Sequence, residues 1–171
     1  MKCKTDWCGR ERTGRSQYCN ACKRMAREKW REKVAADKEA RELRYWEFER
    51  LMRNAEGAGF KAGRDAIPEA MIVAQHTNQL DDTSPVAQQW IVPEGPCGFA
   101  WVNVSPGNSS FARWLVKNGH AHKAHRGGVD IWIDAQGQSY ERKRAHAGAM
   151  ADEITRAEIK GVTVYASGRL D

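Results

Sequence analysis

The sequence has no long apolar run. Its longest apolar stretch, around Ala70–Gln75, is far shorter than the roughly 20 residues that a membrane-spanning helix needs. The chain starts with Lys2 and Cys3 instead of an apolar segment, so no signal peptide is predicted. We therefore expect a cytoplasmic protein that does not act at a membrane.

An excess of charge of one sign is confined to the first third of the chain. Residues 1–53 contain 16 Lys and Arg against 9 Asp and Glu, whereas residues 54–171 contain 12 against 13. A local basic surplus is typical of a segment that binds phosphates. The alternative interpretation is a solvated helix whose charges only keep the protein soluble.

Cysteines are few, and four of the five are grouped. They read Cys3-x4-Cys8 and, after ten residues, Cys19-x2-Cys22. Two short-spaced pairs of soft thiolates can surround one zinc ion tetrahedrally, and metal binding would then stabilise a segment too small for a core. Two disulfides are the alternative, but they require an oxidising compartment. The fifth cysteine, Cys97, is expected to be a packed thiol.

The cysteine segment resembles a treble-clef or zinc-ribbon finger. In that family a knuckle supplies the first two ligands, here Cys3 and Cys8 followed by Gly9. The last pair lies in the first turn of a helix, here Cys19 and Cys22. The resemblance covers about 25 residues and implies a bound Zn²⁺. Members of the family serve as nucleases, ribosomal proteins and adaptors, so the resemblance does not define one function.

The rest of the chain divides into three further segments. Residues 24–56 lack Pro and carry opposite charges at i,i+4, such as Arg24 and Glu28, which predicts a long exposed helix. Three glycines in Gly57–Gly63 are expected to end it. We predict a zinc finger at 1–23, the long charged helix at 24–56, a linker and covering segment at 57–95, and an α+β domain at 96–171.

Residues 96–171 show a regular alternation of strand and helix patterns. The predicted order is strand, helix, two strands forming a hairpin, helix and strand, which is the βαββαβ order of ferredoxin-like domains. The predicted elements are a strand at Gly98–Val104, a helix from Ser109 to Gly119, extended runs at His120–His125 and Val129–Ile133, a helix from Ser139, and a strand at Val162–Ala166.

Side-chain alternation then predicts an aromatic face. The aliphatic residues of each strand face the helices, and the opposite face carries Trp101, Trp132 and Tyr165. RNA-recognition motifs place their base-stacking aromatics in this way, and Lys123 and Arg126 could bind phosphates nearby. Two alternatives are open: residues 64–95 cover these rings, or the rings bind a second copy or another protein.

These patterns define the candidate site residues. His120, His122 and His125, with His146, could form a second metal site, but no nucleophile and base pair is apparent, and no catalytic residue is assigned. The predicted metal ligands are Cys3, Cys8, Cys19 and Cys22. The predicted nucleic-acid-binding residues are Arg10, Arg12, Arg15, Lys23, Arg24, Arg27, Trp101, Lys123, Arg126, Trp132 and Tyr165.

Residues 64–171 also resemble a family of small bacteriophage proteins of unassigned function. The shared motifs include Cys97–Val102, Gly127–Trp132 and Tyr165–Asp171. The resemblance implies a phage origin and action inside an infected host cell. We therefore consider three hypotheses: a zinc-binding nucleic-acid-binding accessory protein, a host-takeover or anti-defence inhibitor that binds a host protein, and a metal-dependent nuclease. No small-molecule substrate is indicated.

Overall fold

The computed structural model describes residues 1–11 and 15–171. The chain forms two compact units, Met1–Trp46 and Glu47–Asp171, and one long helix runs through the boundary between them. The elements are α1 (Asn20–Asp65), β1 (Met71–His76), β2 (Val86–Val92), β3 (Gly98–Ser105), α2 (Ser110–Lys117), β4 (His122–Lys123), β5 (Val129–Trp132), α3 (Tyr140–Arg156) and β6 (Thr163–Leu170). The fold is mixed α+β, with a four-cysteine cluster near the N-terminus.

The second unit contains a four-stranded sheet with the order β4-β5-β3-β6. All three strand pairings are antiparallel. In chain order α2 connects β3 to β4, and α3 connects β5 to β6. The Ser109 hydroxyl accepts a hydrogen bond from the Ala112 N–H and so caps α2, while α3 begins directly after its N-cap residue Ser139. Both helix starts agree with the sequence prediction.

The core lies on one face of this sheet. Ala100, Val102 and Val104 of β3 are fully buried, and so are Phe111 and Leu115 of α2. The aliphatic residues of β5 are also buried, whereas those of β6 are only partly buried because β6 is an edge strand. Further core residues of the second unit are Ala112, Trp114, Val129, Ile131, Ile133, Ala147, Met150, Ala151 and Ile154.

The helix predicted at 24–56 is longer than expected, and its last third belongs to this core. Phe48 packs against Phe111 and Trp114 with ring centroids 5.0 and 5.7 Å apart. Met52 and Ala55 are buried in the same unit. The exposed character predicted for the whole helix therefore holds only for its earlier part.

The prediction that glycines end this helix near residue 57 is wrong. A β-carbon at Gly59 would lie 2.3 Å from His146 Cδ2, and one at Gly63 would lie 2.5 Å from the Gln136 amide carbon. These two glycines, one helical turn apart, therefore allow close packing inside a continuing helix. The helix ends at Asp65, and Arg142 donates hydrogen bonds to the three carbonyls of Gly63, Arg64 and Ala66 at 2.7–3.2 Å.

Residues 57–95 are neither a linker nor a cover for the aromatic rings. Beyond the end of α1 they form the β1–β2 hairpin, in which Ile72 pairs with Ile91 and Val73 with Trp90. Ile72 and Ile91 are 62% and 67% exposed, so the hairpin does not bury its apolar residues against the sheet. Its two strands satisfy each other's backbone hydrogen bonds. From the sequence pattern alone, such a hairpin cannot be distinguished from a segment that covers the sheet.

Two smaller differences concern the ends of elements, and a third concerns Cys97. The predicted strand at His120–His125 contains only His122 and Lys123, and the predicted last strand extends to Leu170, since β6 pairs with the whole of β3. Cys97 is exposed, so the expectation of a packed thiol is wrong.

Candidate metal centre and nucleic-acid interface

The four predicted metal ligands form one buried cluster. The Sγ atoms of Cys3, Cys8, Cys19 and Cys22 all lie within 4.8 Å of one another, and each residue is at most 9% exposed. Cys3 and Cys8 flank a turn, Cys19 directly precedes α1, and Cys22 lies in the first turn of that helix. The Sγ atoms of Cys8 and Cys19 are 3.7 Å apart. Tetrahedral coordination with metal–sulfur bonds of about 2.3 Å separates two sulfurs by roughly 3.8 Å, so the cluster fits a single ion.

Backbone groups around the cluster favour thiolates. The N–H of Cys19 donates to Cys3 Sγ at 3.3 Å, and that of Cys22 donates to Cys19 Sγ at 3.5 Å. Hydrogen bonds from the backbone of Thr5 and then of Cys19 lower the pKa of Cys3 from its ordinary 9.0 to about 6. A hydrogen bond from the Cys22 backbone likewise lowers the pKa of Cys19.

The pKa of Cys22 is shifted in the opposite direction. Its hydrogen bond with Thr5 lowers its pKa, but burial and the neighbouring thiols outweigh that effect and raise the pKa to about 12. A bound cation would have to displace the proton of Cys22 to gain this residue as a thiolate ligand. Thiolates as the sole donors favour soft or borderline ions over Mg²⁺ and Ca²⁺.

A cleft lies beside the cluster in the first unit. It has a volume of about 460 Å³ and is walled by Trp7, Tyr18 and Met25, with Lys23, Arg27 and Lys29 among the other lining residues. No lining residue is acidic. Trp7 and Tyr18 did not figure among the sequence-predicted site residues. The available signal was their position, because each directly precedes a cysteine of the cluster.

The other basic residues predicted for this unit are dispersed. Arg10, Arg15 and Arg24 are exposed, and neither Arg10 nor Arg15 lines the cleft. Arg12 lies outside the described residues. Residues 1–46 carry 14 Lys and Arg against 7 Asp and Glu, and residues 47–171 carry 14 against 15. The net positive charge of the protein therefore belongs to the first unit.

The predicted aromatic face exists as an open groove in the second unit. Trp101 and Trp132 are direct cross-strand partners with ring centroids 5.1 Å apart. Tyr165 lies opposite Asn103 on the neighbouring strand. Together they line a groove of about 580 Å³ to which residues 64–95 contribute nothing, and Trp132 is 42% exposed.

Polar side chains complete the groove. Arg126 and His125, in the turn between β4 and β5, line one side of the groove. Arg169 of β6 lines the other side, with its guanidinium 5.4 Å from the Phe99 ring centroid. Asn103 and Asp130 line the groove beside the tryptophans. Lys123 is not part of it, because it lines a separate cavity with Arg113 and Lys117. Asn103, Asp130 and Arg169 were not among the site residues predicted from the sequence.

The histidines do not come together. His120 stacks on Trp114 with ring centroids 5.1 Å apart, and His146 is buried against Phe60. His122 and His125 are exposed. Among residues 1–11 and 15–171, the four cysteines are the only group arranged to hold a metal ion. The second metal site considered for the nuclease hypothesis is therefore not formed in this part of the chain.

Comparison of the chain with known protein families, with curated proteins and with solved structures finds no match. In the described part of the chain, no helix has both the length and the apolar character required to cross a membrane. The cysteine cluster, the cleft beside it and the aromatic groove are therefore the features that bear on function.

Proposed function

We propose that this chain is a zinc-binding, nucleic-acid-binding accessory protein encoded by a phage. The observation that carries the proposal is the open groove in which Trp101 and Trp132 lie side by side with Arg126 and Arg169 at its margins. Aromatic rings that are partly exposed stack on bases, and flanking guanidinium groups bind phosphates. The phage origin is supported by the motif resemblance of residues 64–171.

Zinc is the proposed ion because four thiolates in tetrahedral reach are its usual structural ligand set. Cys3, Cys8, Cys19 and Cys22 would hold it, and they lie in a segment with almost no apolar core of its own. The ion would supply the folding free energy of this segment. Its proposed role is therefore structural, fixing the start of α1 and the cleft beside it.

The strand order supports a ferredoxin-like arrangement for the second unit. Counting only the four-stranded sheet, the first strand in the chain lies between the third and the fourth, and all neighbours are antiparallel. RNA-recognition motifs carry stacking aromatics on the two central strands of such a sheet. Trp101 and Trp132 occupy the two central strands here.

The first unit supports the same function independently. Its cleft combines the rings of Trp7 and Tyr18 with three cations and no carboxylate among the lining residues that the structure describes, and the unit carries a surplus of seven positive charges. A polyanion with planar bases is the ligand whose chemistry matches that combination. We propose that Lys23 and Arg27 bind phosphates there and that Arg10, Arg12, Arg15 and Arg24 add to the attraction.

The experiment replaces one tryptophan in the groove and one outside it. Trp132→Ala should weaken binding of a short single-stranded oligonucleotide by roughly 1–3 kcal/mol, the value of one stacked base. Trp90→Ala is the matched control, because Trp90 is 43% exposed and lies on the β1–β2 hairpin. Binding is followed by fluorescence titration, and folding by thermal melts.

Trp101→Ala should behave as Trp132→Ala does, with little loss of thermal stability because neither ring is buried in the core. Unchanged binding of both groove variants would refute the proposal for this face. A fall in stability of about 3–5 kcal/mol would instead indicate core packing.

A host protein is the second candidate partner, and the β1–β2 hairpin favours it. The hairpin exposes Ile72, Val73 and Ile91, and exposed apolar patches commonly bind proteins. A pull-down from host lysate with and without nuclease treatment separates the two candidates. Capture that persists after nuclease treatment and is lost in Ile72→Ser would favour the host-protein inhibitor.

A further inference from the structure

A carboxylate lies inside the aromatic groove. Asp130 is two residues before Trp132 on the same face of β5, and it pairs with Asn103 of β3. Alternate residues on one strand face are roughly 7 Å apart, which is within reach of the edge of a base stacked on the neighbouring indole. A carboxylate repels phosphate and accepts hydrogen bonds, so Asp130 is suited to contact a donor group of a ligand.

The hydrogen bonds of Asn103 fix the orientation of this carboxylate. Asn103 is 4% exposed, and its amide donates to Asp130 Oδ1 at 2.7 Å and to the Gly127 carbonyl at 3.2 Å. Both amide hydrogens are therefore in use. No described residue forms an ion pair with Asp130 or donates a hydrogen bond to its Oδ2. Oδ2 of Asp130 is thus open to accept hydrogen bonds from a ligand, and Oδ1 can accept one in addition to that from Asn103.

The Watson–Crick edges of the bases differ in how many hydrogen bonds they can donate to the two oxygens of a carboxylate. Guanine presents two adjacent donors, N1–H and the N2 amine. Adenine and cytosine each present one amine next to a ring nitrogen acceptor, and thymine or uracil presents one N–H between two carbonyls. Only guanine therefore avoids placing an acceptor against the carboxylate.

We infer that Asp130, held by Asn103, is a guanine-binding subsite of the groove. A guanine stacked on Trp132 or Trp101 donates N1–H and N2–H to the two carboxylate oxygens, while Arg126 and Arg169 are placed for the flanking phosphates. This inference rests on the proposed function, since it assigns base specificity to the same groove. Asp130 is a specificity-determining residue in this arrangement.

The test uses the full-length protein and thymine pentanucleotides that carry one central guanine, inosine, adenine or thymine. The guanine oligonucleotide should bind at least about tenfold more tightly than the adenine or thymine one, the lower part of the range for a two-bond base contact. Inosine lacks only the N2 amine, so it should bind with intermediate affinity. Tryptophan fluorescence gives the dissociation constants.

Asp130→Asn removes the charge but keeps an oxygen that can accept from Asn103, so the fold should be retained. It should abolish the guanine preference, so that the guanine and thymine pentanucleotides bind with equal affinity. Asp134→Asn is the matched control, because Asp134 is an exposed carboxylate near the end of the same strand and outside the groove. That control should keep the preference and change all affinities equally.

The failures of the two proposals are distinguishable. If all four oligonucleotides bind with equal affinity and Trp132→Ala weakens them all, the guanine subsite is refuted and the nucleic-acid function stands. If Asp130→Asn keeps the preference for guanine, the subsite is also refuted. If no oligonucleotide binds, both proposals for this groove are refuted.

Discussion

Cys19 is the residue that connects the whole cysteine cluster. Its Sγ lies 3.7 Å from that of Cys8, its N–H donates to Cys3 Sγ, and its own Sγ accepts a hydrogen bond from the Cys22 N–H. Replacing this one residue therefore disturbs every other ligand. The loss of one of four thiolates also leaves an incomplete site for the metal.

We expect Cys19→Ser to abolish metal binding and to unfold the segment around residues 1–23, since the proposed ion would supply most of its folding free energy. Elemental analysis should give one zinc per chain for the parent protein and far less for the variant. Cys97→Ser is the control, because Cys97 is exposed and outside the cluster. Parent protein with four free thiols and no metal would contradict the assignment.

Site residues could be predicted from the sequence only where the spacing between them indicates a metal site or a strand face. The x4 and x2 separations identified all four cysteines, and strand alternation placed Trp101 opposite Trp132. Asp130 and Arg169 were not identified, because a charged residue on an exposed strand face is common and its meaning depends on neighbouring strands. The cross-strand register supplies that information.

The end of the long helix α1 was also not predictable from local sequence. Its charge pattern predicted a helix, but Gly57, Gly59 and Gly63 were interpreted by their weak helix propensity alone. The contacts that decide the role of Gly59 and Gly63 come from His146 and Gln136, which are more than 70 residues away in the sequence. Local patterns correctly predicted α2 and α3, because the apolar spacing of both helices and the Ser109 cap of α2 are contained within the elements.

Gly57 and Gly59 provide a matched test of this packing. A β-carbon at Gly57 would meet nothing within 4 Å, whereas one at Gly59 would overlap the buried His146 ring. Gly57→Ala should stabilise the protein by about 0.5–1 kcal/mol through helix propensity. Gly59→Ala should destabilise it by about 1–3 kcal/mol, because the ring or the helix must move.

Denaturant unfolding followed by circular dichroism measures both effects. Gly148→Ala serves as a further control, because Gly148 lies in α3 and has open space at its β-carbon position. Stabilisation by Gly59→Ala equal to that by Gly57→Ala would show that α1 and α3 do not pack closely at this point.

In the whole molecule, the positive charge surplus coincides with one of the two structural units. Residues 1–46 hold the surplus of seven positive charges, and residues 47–171 have a net charge of −1. The sequence placed the structural boundary near residue 57. The helix crosses that position and contributes Phe48, Met52 and Ala55 to the core of the second unit. A cut at residue 57 would therefore remove core residues.

The fragment 47–171 should fold and retain the aromatic groove, because all residues of that unit are present. The fragment 57–171 should be much less stable, since removal of Phe48 and Met52 leaves a cavity against Phe111 and Trp114. Thermal melts of the two fragments compare their stabilities. Equal stability would show that the last third of α1 is not part of the core.

Binding of single-stranded oligonucleotides to the fragment 47–171 should be weaker and less dependent on salt than binding to the full chain. Each phosphate neutralised on a single strand contributes about 0.7 to the slope of log K against log salt, and the cations of the first unit are absent from the fragment. The stacking contribution of Trp101 and Trp132 should remain, so Trp132→Ala should weaken the fragment and the full chain by similar factors. Fluorescence titrations between low and physiological salt measure both quantities. An unchanged slope in the fragment would show that the basic first unit does not contact the nucleic acid.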